Sequence, residues 1–375
     1  MSRNPLQIAD RMSSIEASGI RKFFDLARTM KDPINLSIGQ PHFDPPAIVA
    51  DAAIAAIRSG ENKYTPTQGI EPLRVKLREK LAKRYPIAAN DDLMITGGVA
   101  GGVLLSYFTT LNPGDEILIP DPYFVMYKHL AHVAGAKPVL YATYPDFRIT
   151  REALEKVYTP KTRALLVNSP SNPTGQVMNE AEVRLVAEFA RERGLLLISD
   201  EIYDEYIYEG EHISPKRYNP DTLVLGGFSK SMGIPGWRMG YALGPAPILE
   251  KMRILQQFSY VCAPAPAQFG VLAGLDFDFT PYRKEYRAKR DRVYEGLREN
   301  FNVVKPSGAF YIFPELPKGI SDQEFVQRCI ERSLLVVPGS ACCSKNNYVR
   351  VSYAADDRTL DRGIAVLNDV VKSFR

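Results

Sequence analysis

The middle of the chain alternates short apolar runs with segments of helix length, and this alternation restricts the possible folds more than any other feature. Amphipathic segments of helix length precede or separate most of the runs, at Gly98–Leu111, Pro122–Val133 and Asn179–Arg193. Short turns join the two kinds of segment, so the pattern predicts an α/β fold in which helices sandwich a mainly parallel sheet. The predicted strands are Glu116–Ile119, Lys137–Ala142, Arg163–Asn168, Leu195–Ser199, Thr222–Leu225 and Met239–Leu243.

Length and a change of texture near residue 281 predict two domains. With 375 residues the chain can bury one large core and a second, smaller one. We expect a large domain over residues 46–280. A smaller α+β domain is expected from the N-terminal arm, residues 1–45, together with residues 281–375, where a long charged helix is predicted over Tyr282–Glu299.

Composition excludes several classes of partner. The 47 basic and 43 acidic residues are interspersed, without the basic stripe that nucleic-acid binding needs. The N-terminus lacks the apolar core of a signal peptide, so a cytoplasmic location is expected. The charge-free stretch Leu93–Leu111 contains several glycines and barely reaches the roughly 20 residues of a membrane span, which predicts a buried helix and no membrane partner. The four cysteines lack metal-ligand and redox spacings, which predicts buried thiols and no metal site.

The loop Gly227–Gly240 carries Lys230 and, eight residues later, Arg238 among small residues. A lysine at a strand end can be partly desolvated, which favours the neutral amine and makes it a nucleophile near neutral pH. A guanidinium suits a phosphate or a carboxylate. The pair therefore indicates a site for a phosphorylated aldehyde. The alternative for this segment alone is a surface lysine in a glycine-rich turn, with Arg238 in an ordinary ion pair.

Polar residues at the ends of two other predicted strands point to the same edge of the sheet, where ligands collect in folds of this kind. Asp200 directly follows an apolar strand, where a carboxylate needs a cation or hydrogen-bond donors. The alternative is that Asp200 caps the next helical turn. Tyr203 can direct its hydroxyl into the same crevice or simply pack. Asn172 lies between two prolines that restrict the backbone around it.

Four ordered motifs carry a resemblance to a known family. They are Asn168–Gly175 (NSPSNPTG), Asp200–Tyr203 (DEIY), Ser229-Lys230 with Arg238, and Tyr348–Ser352 (YVRVS). Together they resemble the class I pyridoxal-phosphate (PLP) aminotransferases of fold type I, in the aspartate aminotransferase superfamily. The resemblance extends over nearly the whole chain, from Leu36–Pro41 (LSIGQP) onward.

The resemblance implies a role for each matching residue. Lys230 is then the lysine that holds PLP as a Schiff base and moves a proton between the substrate Cα and the cofactor. Asp200 pairs with the protonated ring nitrogen, which makes the ring a better electron sink. Tyr203 and Asn172 donate hydrogen bonds to the phenolate oxygen. Arg350 binds the substrate α-carboxylate, although a strand-end arginine in a salt bridge is the alternative when that residue is taken alone.

The segment Thr96–Gly102 (TGGVAGG) follows a short strand and opens a helix. The backbone N–H groups of Val99 and Ala100 can therefore point at a phosphate, with the helix dipole behind them. The glycine spacing is neither that of a dinucleotide-binding motif nor that of a Walker motif. The resemblance adds four further contacts: Phe124 stacks on the pyridine ring, Ser229 and Arg238 bind the cofactor, and Gly39 binds the substrate.

A partner subunit is implied as well, because Tyr64 matches a tyrosine that reaches the phosphate of the neighbouring chain in a homodimer. Some positions depart from the family pattern. Gly227 replaces a serine that donates to the phosphate, so we expect cofactor retention to be weaker by ~1.5–3 kcal/mol. Cys342 and Cys343 stand where Phe-Gly is common in the family, and Tyr260–Cys262 replaces small polar residues of a loop near the partner's site, which predicts an effect on substrate choice.

The predicted activity is a ping-pong transfer of the amino group of an L-amino acid to a 2-oxo acid, most simply 2-oxoglutarate. The donor is aspartate, an aromatic or another neutral amino acid. A C–S β-lyase of the same fold is one alternative. A non-enzymatic ligand sensor is another, although no DNA-binding segment is visible. Arg21, Lys22 and Lys128 are candidates for a second cation in the pocket, whereas an aromatic or aliphatic substrate would suit Ile20, Tyr123, Phe124 and Tyr260.

Overall fold

The computed structural model describes residues 8–15 and 29–374. Within these residues the helices are α1 (Ala47–Arg58), α2 (Glu71–Ala82), α3 (Gly98–Thr110), α4 (Val125–Val133), α5 (Arg151–Val157), α6 (Glu180–Arg193), α7 (Ala246–Ser259), α8 (Ala265–Gly274), α9 (Thr280–Leu297), α10 (Asp322–Glu331) and α11 (Asp357–Lys372). The strands are β1 (Ile34–Asn35), β2 (Asp91–Gly97), β3 (Glu116–Asp121), β4 (Lys137–Ala142), β5 (Thr162–Asn168), β6 (Leu196–Asp200), β7 (Leu223–Gly227), β8 (Met239–Pro245), β9 (Tyr311–Ile312), β10 (Leu334–Leu335), β11 (Val337–Pro338) and β12 (Val349–Ser352).

Seven strands form the central sheet, in the order β2-β8-β7-β6-β5-β3-β4. Only β8 runs antiparallel to its neighbours, and every other pair in this sheet is parallel. The predicted mainly parallel α/β sheet is confirmed, and all six predicted strands belong to it. The expectation of one buried helix over Leu93–Leu111 needs a correction, because its first five residues form the end of β2 and the helix occupies Gly98–Thr110.

The sheet is apolar on both faces because helices cover both of them. Neighbouring residues on one strand point to opposite faces. Met94 and Leu225 therefore pack in the core beneath α3, α4 and α7, whereas Ile95 and Val224 pack in the core beneath α2 and α8. Because both faces are buried, the inner strands are continuous apolar runs and do not show the alternation of apolar and polar residues that a half-exposed strand shows.

A second group of elements combines the start of the described chain with its end. β1 pairs in parallel with β10, and β12 lies between β11 and β9 in an antiparallel sheet. Leu36 extends this contact, because its N–H donates to Leu335 at 2.9 Å and its carbonyl accepts from Ser352 at 2.8 Å. The helix predicted over Tyr282–Glu299 is α9, which packs with α10 and α11 around a core that includes Phe310 and Tyr311.

Two sequence expectations concerned the state of the cysteines and the presence of a membrane-spanning helix. All four cysteines are free, and Cys329, Cys342 and Cys343 are buried as predicted, whereas Cys262 is partly exposed. Over residues 8–15 and 29–374, none of the helices has the length and the apolar character needed to cross a bilayer.

Candidate active site

The carboxyl ends of β5, β6 and β7 meet at one edge of the sheet and open into a cavity of about 300 Å³. Asn168 and Asp200 end adjacent strands in register, and Lys230 follows β7 by three residues. Every residue to which the resemblance gives a role, except Tyr64, lines this cavity. Those that line it are Gly39, Val99, Ala100, Phe124, Asn172, Asp200, Tyr203, Ser229, Lys230, Arg238 and Arg350.

Asp200 is the only carboxylate among the lining residues and is 2% exposed. Its Oδ2 accepts a hydrogen bond from the Tyr127 hydroxyl at 2.6 Å, and its Oδ1 accepts one from the Ile202 N–H at 3.1 Å. Burial raises the pKa of the carboxyl from 3.8 to about 6, although both hydrogen bonds act in the opposite direction. The bond from Ile202 is the one expected if Asp200 caps the next turn. Asp200 also faces the cavity, where a cation would stabilise its charge.

Lys230 is held from two directions. Its Nζ donates to the carbonyl of Gly39, and its own carbonyl accepts from the Tyr206 hydroxyl at 2.9 Å. Burial, followed by the charges of Arg350 and Arg238, lowers the pKa of the ammonium from 10.5 to about 8. A substantial fraction of the amine is then neutral close to physiological pH, which does not fit an exposed lysine in a glycine-rich turn.

Arg350 lies on β12 and is 1% exposed. Its guanidinium donates to Asn172 Oδ1 at 3.2 Å and to the Ser37 carbonyl at 2.7 Å, and it stacks 4.8 Å from the centroid of the Tyr311 ring. Its Nε has no hydrogen-bond partner, and the described residues place no carboxylate within 4.0 Å of it. A buried guanidinium without a carboxylate partner calls for an anionic ligand, since an uncompensated buried charge is costly.

Two tyrosines and a glycine close the side of the cavity next to Arg350. The hydroxyls of Tyr203 and Tyr311 are 2.9 Å apart. A Cβ on Gly39 would collide with the Tyr311 hydroxyl, so only glycine allows the chain to pass this close to the ring. Asn172 is fixed by its own N–H, which donates to Asn168 Oδ1 at 2.8 Å.

The N-terminus of α3 forms an anion cradle with Arg238. Gly98 has φ +71°, and a Cβ there would lie 2.6 Å from a guanidinium nitrogen of Arg238. Arg238 itself has φ +57° and donates to the carbonyl of Pro235 at 2.9 Å. Val99 and Ala100 line the cavity in the first turn of the helix, where free N–H groups and the helix dipole favour a negative ligand.

Over residues 31–367 the sequence matches the family model described as aminotransferase class I and II. The chain belongs to this family. The aminotransferase is 35% identical to a probable aspartate aminotransferase of Methanocaldococcus jannaschii, over 97% of this chain and 99% of that protein. It is 36% identical to aromatic-amino-acid aminotransferase 2 of Thermococcus litoralis, over 98% and 99% of the two chains. The solved structure of aspartate aminotransferase from Thermus thermophilus with maleate matches with a TM-score of 0.93 at 32% identity, over 97% of this chain and 100% of that one.

These comparisons confirm the predicted class of enzyme, a PLP-dependent aminotransferase acting on an amino acid and a 2-oxo acid. The matched relatives named above are aminotransferases, so neither the C–S β-lyase nor the ligand sensor gains support. The cavity also fits PLP chemically. The cradle suits a phosphate, the Asp200 carboxylate suits a cationic ring nitrogen, and the Lys230 amine suits an aldehyde. Arg350 then remains for a carboxylate of the substrate.

Sequence reasoning missed several residues of the site. Tyr127, which donates to Asp200, follows Phe124 by three residues at the start of α4, and the centroids of the two rings are 5.7 Å apart. Asn168 was quoted in a motif without a role, yet its side chain donates to the Asp200 carbonyl at 3.0 Å. Tyr311 gave no local signal, because only the tertiary fold brings it to Tyr203. Met126, Ile202 and Pro235 also line the cavity.

The predictions about substrate choice have mixed outcomes. Ile20, Arg21 and Lys22 lie outside the described residues. Tyr123, Lys128 and Tyr260 do not line the cavity, so only Phe124 of the proposed apolar contacts does so among the residues that can be placed. Gly227 does not line it either, and a Cβ there would be 3.0 Å from Ile202 Cδ1. The expected weaker cofactor retention stays a prediction.

Proposed function

We propose that the site residues act as the motifs suggest, and that the enzyme transfers the amino group of a neutral L-amino acid with a large apolar side chain. The observation that carries this proposal is the buried Arg350 guanidinium, which lacks a carboxylate partner among the described residues. Its position beside Lys230 suits a substrate whose α-carboxylate binds Arg350 while its amino group reaches the cofactor. Arg238 and the N-terminus of α3 hold the cofactor phosphate.

Bound PLP supplies an electron-withdrawing ring that stabilises negative charge at the substrate Cα. Lys230 would take the proton from the substrate Cα and hold it for return, and its pKa of about 8 would keep both protonation states of the free amine accessible. Asp200 would hold the protonated ring nitrogen. Tyr203 and Asn172 would donate to the phenolate oxygen, Phe124 would pack on the ring, and Ser229 would bind the phosphate.

The lining of the cavity favours a neutral donor. Its side walls include Phe124, Met126, Ile202 and Tyr311, which are apolar or aromatic. Once Arg238 and Arg350 are assigned to phosphate and α-carboxylate, the lining residues offer no further guanidinium for a second carboxylate. Transfer to 2-oxoglutarate is the second half of the proposed reaction, and its distal carboxylate is expected to depend on residues beyond this lining.

The test is a visible absorption spectrum of the purified enzyme before and after adding single L-amino acids. Phenylalanine or another large neutral donor should convert a band near roughly 360–430 nm to one near roughly 330 nm, because the cofactor accepts the amino group. Conversion by aspartate alone would overturn the substrate assignment. A band that stays while pyruvate and ammonia accumulate would overturn transamination itself.

Arg350→Gln tests the assignment of the α-carboxylate. Loss of a charge-assisted contact should lower kcat/KM for phenylalanine by about 100-fold or more. The matched control is phenethylamine, which lacks the carboxylate and should react with both proteins at similar rates. An equal loss for both compounds would show that Arg350 does not bind the carboxylate.

We also propose a homodimer in which Tyr64 reaches the cofactor phosphate of the partner. Tyr64 is 84% exposed and does not line the cavity of its own chain. Phe258 is 82% exposed, and Phe108 and Ile254 are partly exposed, so apolar surface is available for a second copy. Mixed dimers of Tyr64→Ala and Lys230→Ala subunits should regain activity, because one of their two sites is then complete. If Tyr64 served its own chain, no site would be complete.

The domain boundaries at residues 45 and 280, and a cytoplasmic location, belong to the same proposal. β1 pairs with β10, which supports joining the N-terminal arm to residues 281–375. The four unpaired thiols suit a reducing compartment. Limited proteolysis near residues 45 and 280, and fractionation of the source cells, test the two statements separately.

A further inference from the structure

Tyr260 packs its ring against two glycines of the phosphate cradle. A Cβ on Gly97 would lie 3.3 Å from the ring, and one on Gly101 would lie 2.9 Å from the hydroxyl. Gly97 is the last residue of β2, and Gly101 lies in the first turn of α3, so both belong to the segment around the junction of the two elements. This contact gives a reason for glycine at two positions of that segment that the phosphate itself does not explain.

A directed chain of hydrogen bonds runs from this tyrosine through Gln256. The Tyr260 hydroxyl accepts a hydrogen bond from the Gly97 N–H at 3.1 Å. Its own proton is therefore directed away from Gly97, and the hydroxyl donates it to Gln256 Oε1 at 2.9 Å. The Gln256 amide then donates to the carbonyls of Thr67 at 2.6 Å and Ile95 at 3.0 Å. Gln256 is fully buried, and both of its amide hydrogens have acceptors.

These bonds also satisfy backbone groups on the free edge of β2, which is one of the two edge strands of the sheet. Gln256 takes the Ile95 carbonyl, Tyr260 takes the Gly97 N–H, and the Ile95 N–H donates to Gln68 at 2.9 Å. The last residue of β2 and the loop that follows Tyr64 are thereby fixed to one another through α7.

The turn after Tyr260 is strained. Val261 has φ +67°, a conformation that is rare for a β-branched residue. Two backbone hydrogen bonds hold this turn: the Val261 N–H donates to Gln256 at 2.9 Å, and the Cys262 N–H donates to Tyr260 at 2.7 Å. Strain of this kind persists where the surrounding structure imposes it and is often found at functional sites.

We propose that Tyr260 and Gln256 are positioning residues for the cofactor phosphate. They do not line the cavity, and they act by fixing the junction of β2 and α3 so that the N–H groups of Val99 and Ala100 stay directed at the anion. Without the Tyr260 hydroxyl, the Gly97 N–H loses its partner and the junction of β2 and α3 is less well fixed in the apoprotein. Cofactor binding then has to order the junction, which lowers the affinity. The inference rests on the proposed phosphate position at the N-terminus of α3.

Tyr260→Phe tests the inference, because it keeps the ring and removes only the hydroxyl. The apoprotein should bind PLP about 10-fold more weakly, because the variant loses both hydrogen bonds of that hydroxyl, with the Gly97 N–H and with Gln256 Oε1. Its affinity for pyridoxal, which has no phosphate, should be unchanged. At saturating PLP the KM for the amino donor should also be unchanged. Equal weakening for PLP and pyridoxal, or none for either, would overturn the inference.

Tyr141→Phe is the matched control, since Tyr141 is also buried and its hydroxyl donates to Leu166 at 3.0 Å, away from the cavity lining. It should leave both affinities unchanged. Gly101→Ala provides a second variant, because its Cβ would displace the Tyr260 hydroxyl. Its effect on PLP binding should be smaller in the Tyr260→Phe background, and an equal effect in both backgrounds would contradict the proposed contact.

Arg238→Gln separates failure of this inference from failure of the proposed phosphate position. If the phosphate binds at the cradle, this variant weakens PLP and spares pyridoxal. A selective loss in Arg238→Gln without one in Tyr260→Phe would overturn the role of Tyr260 alone. A loss that does not discriminate between the two ligands in Arg238→Gln would overturn the phosphate position, and the role of Tyr260 with it.

Discussion

Replacing Asp200 by asparagine should stabilise the apoprotein at neutral pH while it removes activity. The reason is that the cavity buries an ionised carboxylate whose cationic partner arrives only with the cofactor. Asparagine keeps the shape, and its Oδ1 can still accept from the Ile202 N–H while its amide donates to the Tyr127 hydroxyl, whose bond thereby changes direction. It carries no charge, so the cost of burying the charge disappears.

The magnitude follows from the pKa. In the folded apoprotein the Asp200 pKa is about 6, against 3.8 ordinarily. Because the folded pKa is raised, the stabilisation is fully present below pH 3.8 and is lost as the pH rises through 6. At ~1.4 kcal/mol per pKa unit this loss is about 3 kcal/mol. With an unfolding entropy of ~2.1 cal/mol/K per residue, the 375-residue chain should then change its Tm by about 4 °C.

The assay measures the Tm of the wild-type and Asp200→Asn apoproteins by differential scanning fluorimetry at a series of pH values between pH 4 and pH 8. The Tm difference in favour of the variant should grow between pH 4 and about pH 7 and then level off. With PLP bound the order should reverse, because the ring nitrogen loses its counter-charge. A Tm difference that stays flat with pH in the apoproteins would refute the reasoning.

Glu201→Gln is a control with the opposite sign. Burial raises the pKa of Glu201, but the His212 imidazolium at 2.8 Å and hydrogen bonds from Ser214 and Ser199 outweigh burial and hold the pKa below its ordinary 4.5. A depressed pKa contributes stability above pH 4.5 that is lost as the pH falls through the folded pKa. Glu201→Gln should therefore destabilise the apoprotein at pH 7, and the deficit should shrink in acid.

The remaining predictions concern the cofactor amine and two glycines. The rate at which PLP combines with the apoprotein, followed by stopped-flow absorbance, should rise with pH and level off above about pH 8, because only the neutral Lys230 amine attacks. Gly98→Ala should weaken PLP binding by about 10-fold or more, since its Cβ would lie 2.6 Å from the Arg238 guanidinium. Gly39→Ala should raise the KM of the amino donor, measured at saturating PLP, because its Cβ displaces the Tyr311 hydroxyl.

Each of these predictions has a contradicting result. An association rate that is constant between pH 6 and pH 9 would mean that the Lys230 amine is already neutral or is not the nucleophile. Gly194→Ala is the control for Gly98→Ala, because Gly194 has a similar φ of +64° and open space around it. It should lower stability without changing PLP affinity. An unchanged KM in Gly39→Ala would show that Tyr311 does not restrict the substrate.

The fold was predictable because the signals that define it are local. Each inner strand is buried on both faces, so its apolar run is continuous and its ends carry the polar residues that face the cavity. Asp200 ends β6, and Lys230 follows β7 closely, so their positions in the site followed once the strands were recognised. The helix at Gly98–Leu111 and the short strand before it were predicted, but Leu93–Leu111 as a whole was also expected to be one helix, because an apolar strand runs directly into an apolar helix there.

The partners of the site residues were not predictable, because they come from distant parts of the chain. Tyr311 meets Tyr203 across 108 positions, and Ser37 meets Arg350 across 313. No periodicity or spacing encodes such contacts. The salt-bridge alternative for Arg350 could be judged only after the fold had shown which carboxylates lie near it.

Lys230 and Asp200 only partly compensate each other's charge before a ligand binds, and this links stability to function. Burial, followed by the charges of Arg350 and Arg238, lowers the pKa of Lys230, while burial raises that of Asp200. The phosphate, the ring nitrogen and the substrate carboxylate would each supply a missing counter-charge. Binding of these groups therefore removes the free-energy cost of the buried unpaired charges, and this relief adds to the affinity of a ligand that binds only the folded state. Substitutions that neutralise a charge here should stabilise the apoprotein and weaken ligand binding together, whereas substitutions outside the cavity should not couple the two.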